Sequence, residues 1–148
     1  MPILDIHHVA IKTLDLEATN RFYIDLLGLT EVARPPFQFP GSWLAMGNTM
    51  LHIFAGEAAF DSKGAYHRGG AAVDHISIQA QDFNSFKSAF QQRDLDFREM
   101  DHRPMTSLWQ LFVHDPNGVL IELNFVPADE PAGAASPDRG NLYQPGKF

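Results

Sequence analysis

The sequence predicts an α+β fold of two βαβββ modules, whose eight strands form one curved mixed sheet, a half-open cup with the helices outside. Three observations predict this fold. Short segments alternate apolar and polar residues with the period of a strand. Two longer segments carry apolar residues at helical spacing. The whole order of elements then occurs twice along the chain. We expect the aliphatic face of the sheet to lie under the helices.

The first module is predicted to run from a strand through a helix to a hairpin. Asp15 is placed to cap the helix, and Gly28 follows its last apolar residue, where a left-handed residue ends helices well. Gly47 and Asn48 make a two-residue turn between the last two strands. The predicted elements are a strand at 6–11, a helix at 16–27, and strands at 29–33, 42–46 and 50–54.

The second module repeats this order after a linker rich in glycine and alanine. Asp82 is placed to cap a helix that carries Phe83 and Phe90 on one side. The motif Asp115-Pro116-Asn117-Gly118 predicts a turn, because proline fixes φ and Asn-Gly tolerates positive φ. The predicted strands are 73–79, 95–100, 108–113 and the apolar run after Gly118 that contains Glu122.

These elements predict one domain over residues 1–126, with module one at 4–56, a linker at 57–72 and module two at 73–126. Residues 127–148 are rich in Pro, Ala, Gly and Asp and are predicted to form an irregular C-terminal tail. We expect this tail to pack on another surface, such as a second subunit. A homodimer is therefore predicted.

Composition narrows the classes of partner. The chain has 148 residues, 45% of them hydrophobic, which suits one globular domain. A net charge of −7 argues against nucleic acid and anionic membranes as partners. The absence of cysteine excludes disulfides and thiolate chemistry. We find no signal-peptide pattern and no apolar run of membrane-spanning length, so we expect a cytoplasmic protein that acts on a small molecule.

The repeat places metal-ligand residue types at equivalent positions. His8 and His75 lie 67 residues apart (75 − 8), and each precedes a helix-capping Asp by seven residues. His52 and Glu122 lie 70 apart (122 − 52), each shortly after a hairpin turn. A carboxylate on an apolar strand is costly to bury unless a positive group meets it. Three imidazoles and one carboxylate suit a divalent Zn, Ni, Fe, Co or Mn ion.

The pattern resembles the vicinal oxygen chelate superfamily, which includes glyoxalase I, methylmalonyl-CoA epimerase, extradiol dioxygenases, fosfomycin-modifying enzymes and metal-free bleomycin-binding proteins. The resemblance covers about residues 5 to 125 and rests on four motifs. His52 stands where glyoxalase I has Glu and the epimerase has Gln. The four motifs are His7-His8-Val9-Ala10-Ile11, Phe22-Tyr23 with Leu26-Leu27-Gly28-Leu29, Asp74-His75-Ile76, and Asp115-Pro116-Asn117-Gly118 with Ile121-Glu122-Leu123.

The number of protein side chains that bind the metal distinguishes three candidate functions. Four ligands (His8, His52, His75 and Glu122) leave two adjacent positions on an octahedral ion for vicinal substrate oxygens. The metal then acts as a Lewis acid while Glu122, as a loosely held or displaced ligand, removes a proton next to a carbonyl, as in a glyoxalase-type lyase or isomerase. If His52 is not a ligand, two His and one carboxylate suit an Fe(II) extradiol ring-cleaving dioxygenase. A metal-free small-molecule-binding resistance protein is the third alternative.

Four further residues are candidates for substrate binding. Trp43 and Trp109 occupy similar places in the two modules and are predicted to line a pocket, with core packing as the alternative. His102 and Arg103 lie in the loop before the seventh strand and are placed to reach a substrate anion, with a solvated loop as the alternative.

Overall fold

The computed structural model of the chain describes residues 6–70, 72–103 and 106–148. The predicted module boundary at residue 4 and the linker position 71 lie outside the described residues. The chain divides into two compact units, Met1–Arg68 and Gly69–Phe148, so the C-terminal tail belongs to the second unit. None of the helices in the described part of the chain has the length and apolar character that crossing a membrane requires.

The first unit contains a four-stranded sheet in the order β1-β4-β3-β2. Asp15 caps the helix as predicted, since its Oδ1 accepts a hydrogen bond from the Ala18 backbone N–H at 2.9 Å. The helix α1 continues as a π-helical turn, Arg21–Leu26. The elements are β1 (His8–Lys12), α1 (Leu16–Asn20), β2 (Thr30–Val32), β3 (Gly41–Met46) and β4 (Thr49–Phe54).

The second unit repeats this arrangement with the sheet order β5-β8-β7-β6. Both sheets are mixed, because β1 pairs with β4 and β5 pairs with β8 in parallel while the other pairs are antiparallel. The predicted α+β class and its two βαβββ modules are confirmed. The eight strands were predicted to form one curved sheet, whereas each module has its own four-stranded sheet. The elements are β5 (His75–Gln79), α2 (Phe83–Gln92), β6 (Phe97–Asp101), β7 (Trp109–His114) and β8 (Leu120–Phe125).

Each sheet has one face packed on the core. In the first unit, Leu44, Leu51 and Ile53 are almost completely buried. In the second, residues 111, 121 and 123 are equally buried, on the face that Phe83 and Phe90 of α2 pack against. The predicted candidate ligands alternate with these positions and therefore lie on the opposite face of each sheet.

Candidate functional site

The first unit brings together His8 and His52. Ala10 pairs with His52 across β1 and β4, so His8 and His52 share the face away from the core. The two imidazole rings stack with centroids 4.1 Å apart. Trp43, directly opposite His52 on β3, stacks on the other side of the His52 ring at 4.2 Å. The structure thus places Trp43 beside the two candidate ligands of this unit.

His52 has an unsatisfied nitrogen. Its Nε2 is buried and has no hydrogen-bond partner within residues 6–70, 72–103 and 106–148. Burial lowers the pKa of His52, and the nearby His8 and His7 lower it further. A buried nitrogen of this kind costs free energy unless a ligand meets it. The position of this atom fits a metal or substrate contact.

His8 is oriented by its neighbour in the sequence. The Nδ1 atoms of His7 and His8 lie 2.8 Å apart, so one of the two rings donates a hydrogen bond to the other. This contact occupies Nδ1 of His8 and leaves its Nε2 for another partner.

The second unit brings together His75 and Glu122. Ser77 pairs with Glu122 across the parallel strands β5 and β8, so His75 and Glu122 share one face. His75 Nε2 lies 3.4 Å from Glu122 Oε2. On the other side of the ring, His75 Nδ1 lies 2.7 Å from Asp74 Oδ1. A histidine whose one nitrogen is held by a carboxylate, with the other nitrogen turned towards the candidate site, is the usual arrangement of a metal-ligating imidazole.

The two oxygens of Glu122 have different partners. Oε1 accepts hydrogen bonds from Ser77 Oγ at 2.9 Å and from Asn124 Nδ2 at 2.8 Å. Asn124 is held in turn by Gln110, whose Nε2 donates to Asn124 Oδ1 at 2.9 Å. The Glu122 side chain is only 12% exposed. This network fixes Oε1 and leaves Oε2 turned towards His75.

The other three candidate residues lie together at another corner of the second unit. Trp109 is on the core face of β7, where its indole packs against Phe83 with ring centroids 5.5 Å apart. The Arg103 guanidinium lies over Trp109, 5.3 Å from the ring centroid, and pairs with the Asp101 carboxylate. That hydrogen bond lowers the pKa of Asp101. His102 Nδ1 contacts Thr106 Oγ1 at 2.7 Å. Because Trp109 is on the face opposite Glu122, this corner is separate from the His75–Glu122 pair.

The candidate ligands therefore occur as two pairs, one in each compact unit. Within residues 6–70, 72–103 and 106–148, no three His, Asp or Glu side chains are close enough to hold one ion. A single ion shared by all four residues remains a prediction from the sequence repeat.

The sequence analysis overlooked the residues that orient Glu122. Alternation along β8 places Asn124 on the face of Glu122, and the same reasoning applies to Ser77 on β5. That signal was present, but the hydrogen bonds depend on the strand register, which periodicity does not give. Asp74 precedes His75 directly, and only the resemblance pointed to it.

Comparison with known proteins finds one family model that spans both units of the chain. The family model described as Glyoxalase/Bleomycin resistance protein/Dioxygenase superfamily matches residues 5–123. "Glyoxylase I 4" from Arabidopsis thaliana is 24% identical over 125 residues, which are 82% of this chain and 70% of that protein.

Two solved structures have a similar fold. A glyoxalase family protein from Bacillus anthracis has a TM-score of 0.68 at 21% identity, covering 85% of this chain and 98% of its own. A lactoylglutathione lyase from Agrobacterium tumefaciens has a TM-score of 0.62 at 23% identity, covering 84% of this chain and 96% of its own.

Proposed function

Because the chain belongs to the Glyoxalase/Bleomycin resistance protein/Dioxygenase superfamily, we propose that it is a metal-dependent lyase or isomerase of the glyoxalase type. In this proposal it removes a proton next to a carbonyl of a small substrate that binds through two neighbouring oxygens. One observation carries the proposal. Glu122 has one carboxylate oxygen held by Ser77 and Asn124, while the other faces His75 and is not held by them.

The residues present fit a divalent metal. His8, His52, His75 and Glu122 would hold it through imidazole nitrogens and one carboxylate, a donor set that suits Zn, Ni, Fe, Co or Mn. The buried Nε2 of His52, which has no hydrogen-bond partner in the described part of the chain, supports this assignment. So does the contact of His75 Nδ1 with Asp74, which leaves Nε2 for a ligand. When bound, the metal supplies Lewis-acid stabilisation of the negative charge that develops on the substrate oxygens.

Glu122 is the proposed base. Its Oε2 accepts the proton from the carbon next to the carbonyl and returns it to the product carbon. Ser77 and Asn124 keep the carboxylate in one orientation during this exchange, because both donate to Oε1. Its low exposure limits competing hydration, which favours proton transfer over solvation of the carboxylate. Trp43, stacked on His52, is proposed to be an apolar contact for the substrate beside His8 and His52.

The test is solvent deuterium exchange into α-hydroxycarbonyl and acyl-thioester compounds by protein loaded with each of the five metals. Glu122→Gln should abolish the exchange. The matched control is Glu57→Gln, which changes an exposed glutamate of the 3-10 turn Gly56–Ala59 and should exchange at the wild-type rate.

Two outcomes would contradict the proposal. Solvent deuterium exchange that persists in Glu122→Gln would show that Glu122 is not the base. Oxygen uptake with ring cleavage of a catechol by the iron-loaded protein, unaffected by His52→Ala, would instead assign an extradiol dioxygenase. A homodimer is part of the proposal, and sedimentation that shows a monomer at high micromolar concentration would count against it.

A further inference from the structure

On the face of the second sheet that carries Glu122, the neighbouring apolar side chains are covered by other residues. This face lies opposite the helix α2, yet Phe112 and Leu120 on it are only 2% and 7% exposed. Tyr143 covers them: its ring is stacked on Phe112, with centroids 3.7 Å apart and planes 6° from parallel. Met100 and Phe148 pack against the same cluster. Tyr143 and Phe148 belong to the C-terminal tail, which lies outside the part of the chain that the family model matches.

Hydrogen bonds determine the path of the tail to this face. The Asp138 N–H donates to Glu99 Oε2 at 3.0 Å, on the core side of the edge strand β6. The Asn141 side chain donates to the Phe97 carbonyl, and the Tyr143 N–H donates to the Glu99 carbonyl, both at 3.0 Å. Since Glu99 points to the core and Tyr143 stacks on the opposite face, residues 138–143 pass around β6. Tyr143 is therefore held by backbone contacts as well as by its ring.

Strand register places Tyr143 next to the proposed base. Phe112 pairs directly with Glu122 across β7 and β8, so a ring stacked on Phe112 stands above the strand adjacent to the carboxylate. Burial raises the pKa of the Tyr143 hydroxyl, and the negative charges of Asp74 and Glu122 raise it further. The phenol is thus a protonated hydrogen-bond donor at neutral pH, within the electrostatic range of both acidic residues.

We propose that the tail forms one wall of the substrate site and that the Tyr143 hydroxyl donates a hydrogen bond to a substrate oxygen beside the carbon that Glu122 deprotonates. The inference rests on the proposed function and narrows it. The preferred substrate would carry an oxygen acceptor that Tyr143 can reach and would be small enough to fit under a fixed aromatic wall. An analogue that lacks the oxygen could not accept this hydrogen bond and would bind more weakly.

The test uses the full chain loaded with Co(II) and acetohydroxamate, a small chelator with two adjacent oxygens. Calorimetry measures Co(II) affinity first and acetohydroxamate affinity second. Tyr143→Phe keeps the ring and removes the hydroxyl, so Co(II) affinity should stay within about twofold. Acetohydroxamate should bind about 10-fold more weakly, as expected for one lost hydrogen bond to a charged oxygen. Tyr66→Phe, which removes a tyrosine hydroxyl in the first unit, is the matched control and should match wild type in both measurements.

Hydrogen exchange separates loss of the hydroxyl from loss of the wall. Backbone amides of residues 138–148 should exchange at the wild-type rate in Tyr143→Phe, since the ring still stacks on Phe112. They should exchange faster in Tyr143→Ala, with a larger loss of acetohydroxamate binding. Unchanged acetohydroxamate affinity in Tyr143→Phe, with Co(II) bound normally, overturns this inference alone. Failure of the wild-type protein to bind Co(II) overturns the proposed function and this inference with it, and it is seen before any acetohydroxamate is added.

Discussion

Replacing Glu99 by alanine should detach the tail and destabilise the second unit. Glu99 is 1% exposed and accepts two hydrogen bonds at Oε2, from Lys87 Nζ on α2 and from the Asp138 backbone N–H, each at 3.0 Å. The carboxylate therefore joins the helix, the edge strand and the tail. Its loss leaves an ammonium and a backbone N–H without their buried acceptor.

The size of the effect follows from these two contacts. A hydrogen bond to a charged group contributes about 1.5–3 kcal/mol, so the pair is worth about 3–6 kcal/mol. The lower end is expected, because the Lys87 side chain is 21% exposed and its ammonium can regain water. We therefore expect Glu99→Ala to lower the free energy of unfolding by about 3 kcal/mol. For a chain of this length, that corresponds to a fall in Tm of about 6–12 °C.

Urea unfolding followed by circular dichroism measures the difference, and a thermal melt gives the matching Tm. Glu17→Ala is the control, because it removes an exposed ion pair with Arg21 on α1 and should change stability by less than about 0.5 kcal/mol. Glu99→Gln keeps an acceptor for Asp138 and should lie between wild type and Glu99→Ala. A Glu99→Ala protein within about 1 kcal/mol of wild type would refute the reasoning.

Three further results are expected. His52→Ala should weaken metal binding by about 10–100-fold in a competition titration, whereas replacing the exposed His67 should not. Gly41→Ala should lower Tm, since a Cβ there would lie 2.1 Å from the Ile53 carbonyl oxygen and force β3 and β4 apart at a cost of about 1–3 kcal/mol. The pKa of Asp61 is lowered from 3.8 to about 2, chiefly by its hydrogen bond with His67. Because the folded pKa is the lower one, its contribution to stability is complete above about pH 4 and is lost as pH falls towards 2. Thermal melts between about pH 4 and pH 2 should show a smaller fall in Tm for Asp61→Asn than for the wild-type protein. The same fall in Tm for both proteins would contradict this expectation.

The elements of the fold were predictable because local chemistry determines them. The caps at Asp15 and Asp82 and the turn at Asp115 are formed by side chains that bond their own neighbours, which a sequence displays directly. Strand ends were displaced by one or two residues, because hydrogen-bonding partners on other strands decide where a ladder stops. The π-helical turn Arg21–Leu26 was not foreseen, since an apolar stripe so short does not distinguish helical periods.

The candidate site was predictable only in part. Residue type, alternation and the repeat identified the His8–His52 and His75–Glu122 pairs. The orientation of Glu122 by Ser77 and Asn124 depends on register between distant strands, and no local pattern encodes it. The tail was predicted only to be irregular, and the stacking of Tyr143 on Phe112 follows from long-range packing of a segment with no periodicity.

The path of the tail around β6 also blocks a sheet edge to which another copy of the chain could add a strand. β6 is the last strand of its sheet, and an edge strand presents unpaired N–H and C=O groups on which a strand from another molecule can add. Leu142 makes a bridge with Glu99 at this edge, and the Asn141 side chain occupies the Phe97 carbonyl. Glu99 and Phe97 therefore already have partners from their own chain. A chain that ended after Val126 would expose both this edge and the apolar cluster around Phe112, and the second unit would then offer a template for strand exchange and aggregation.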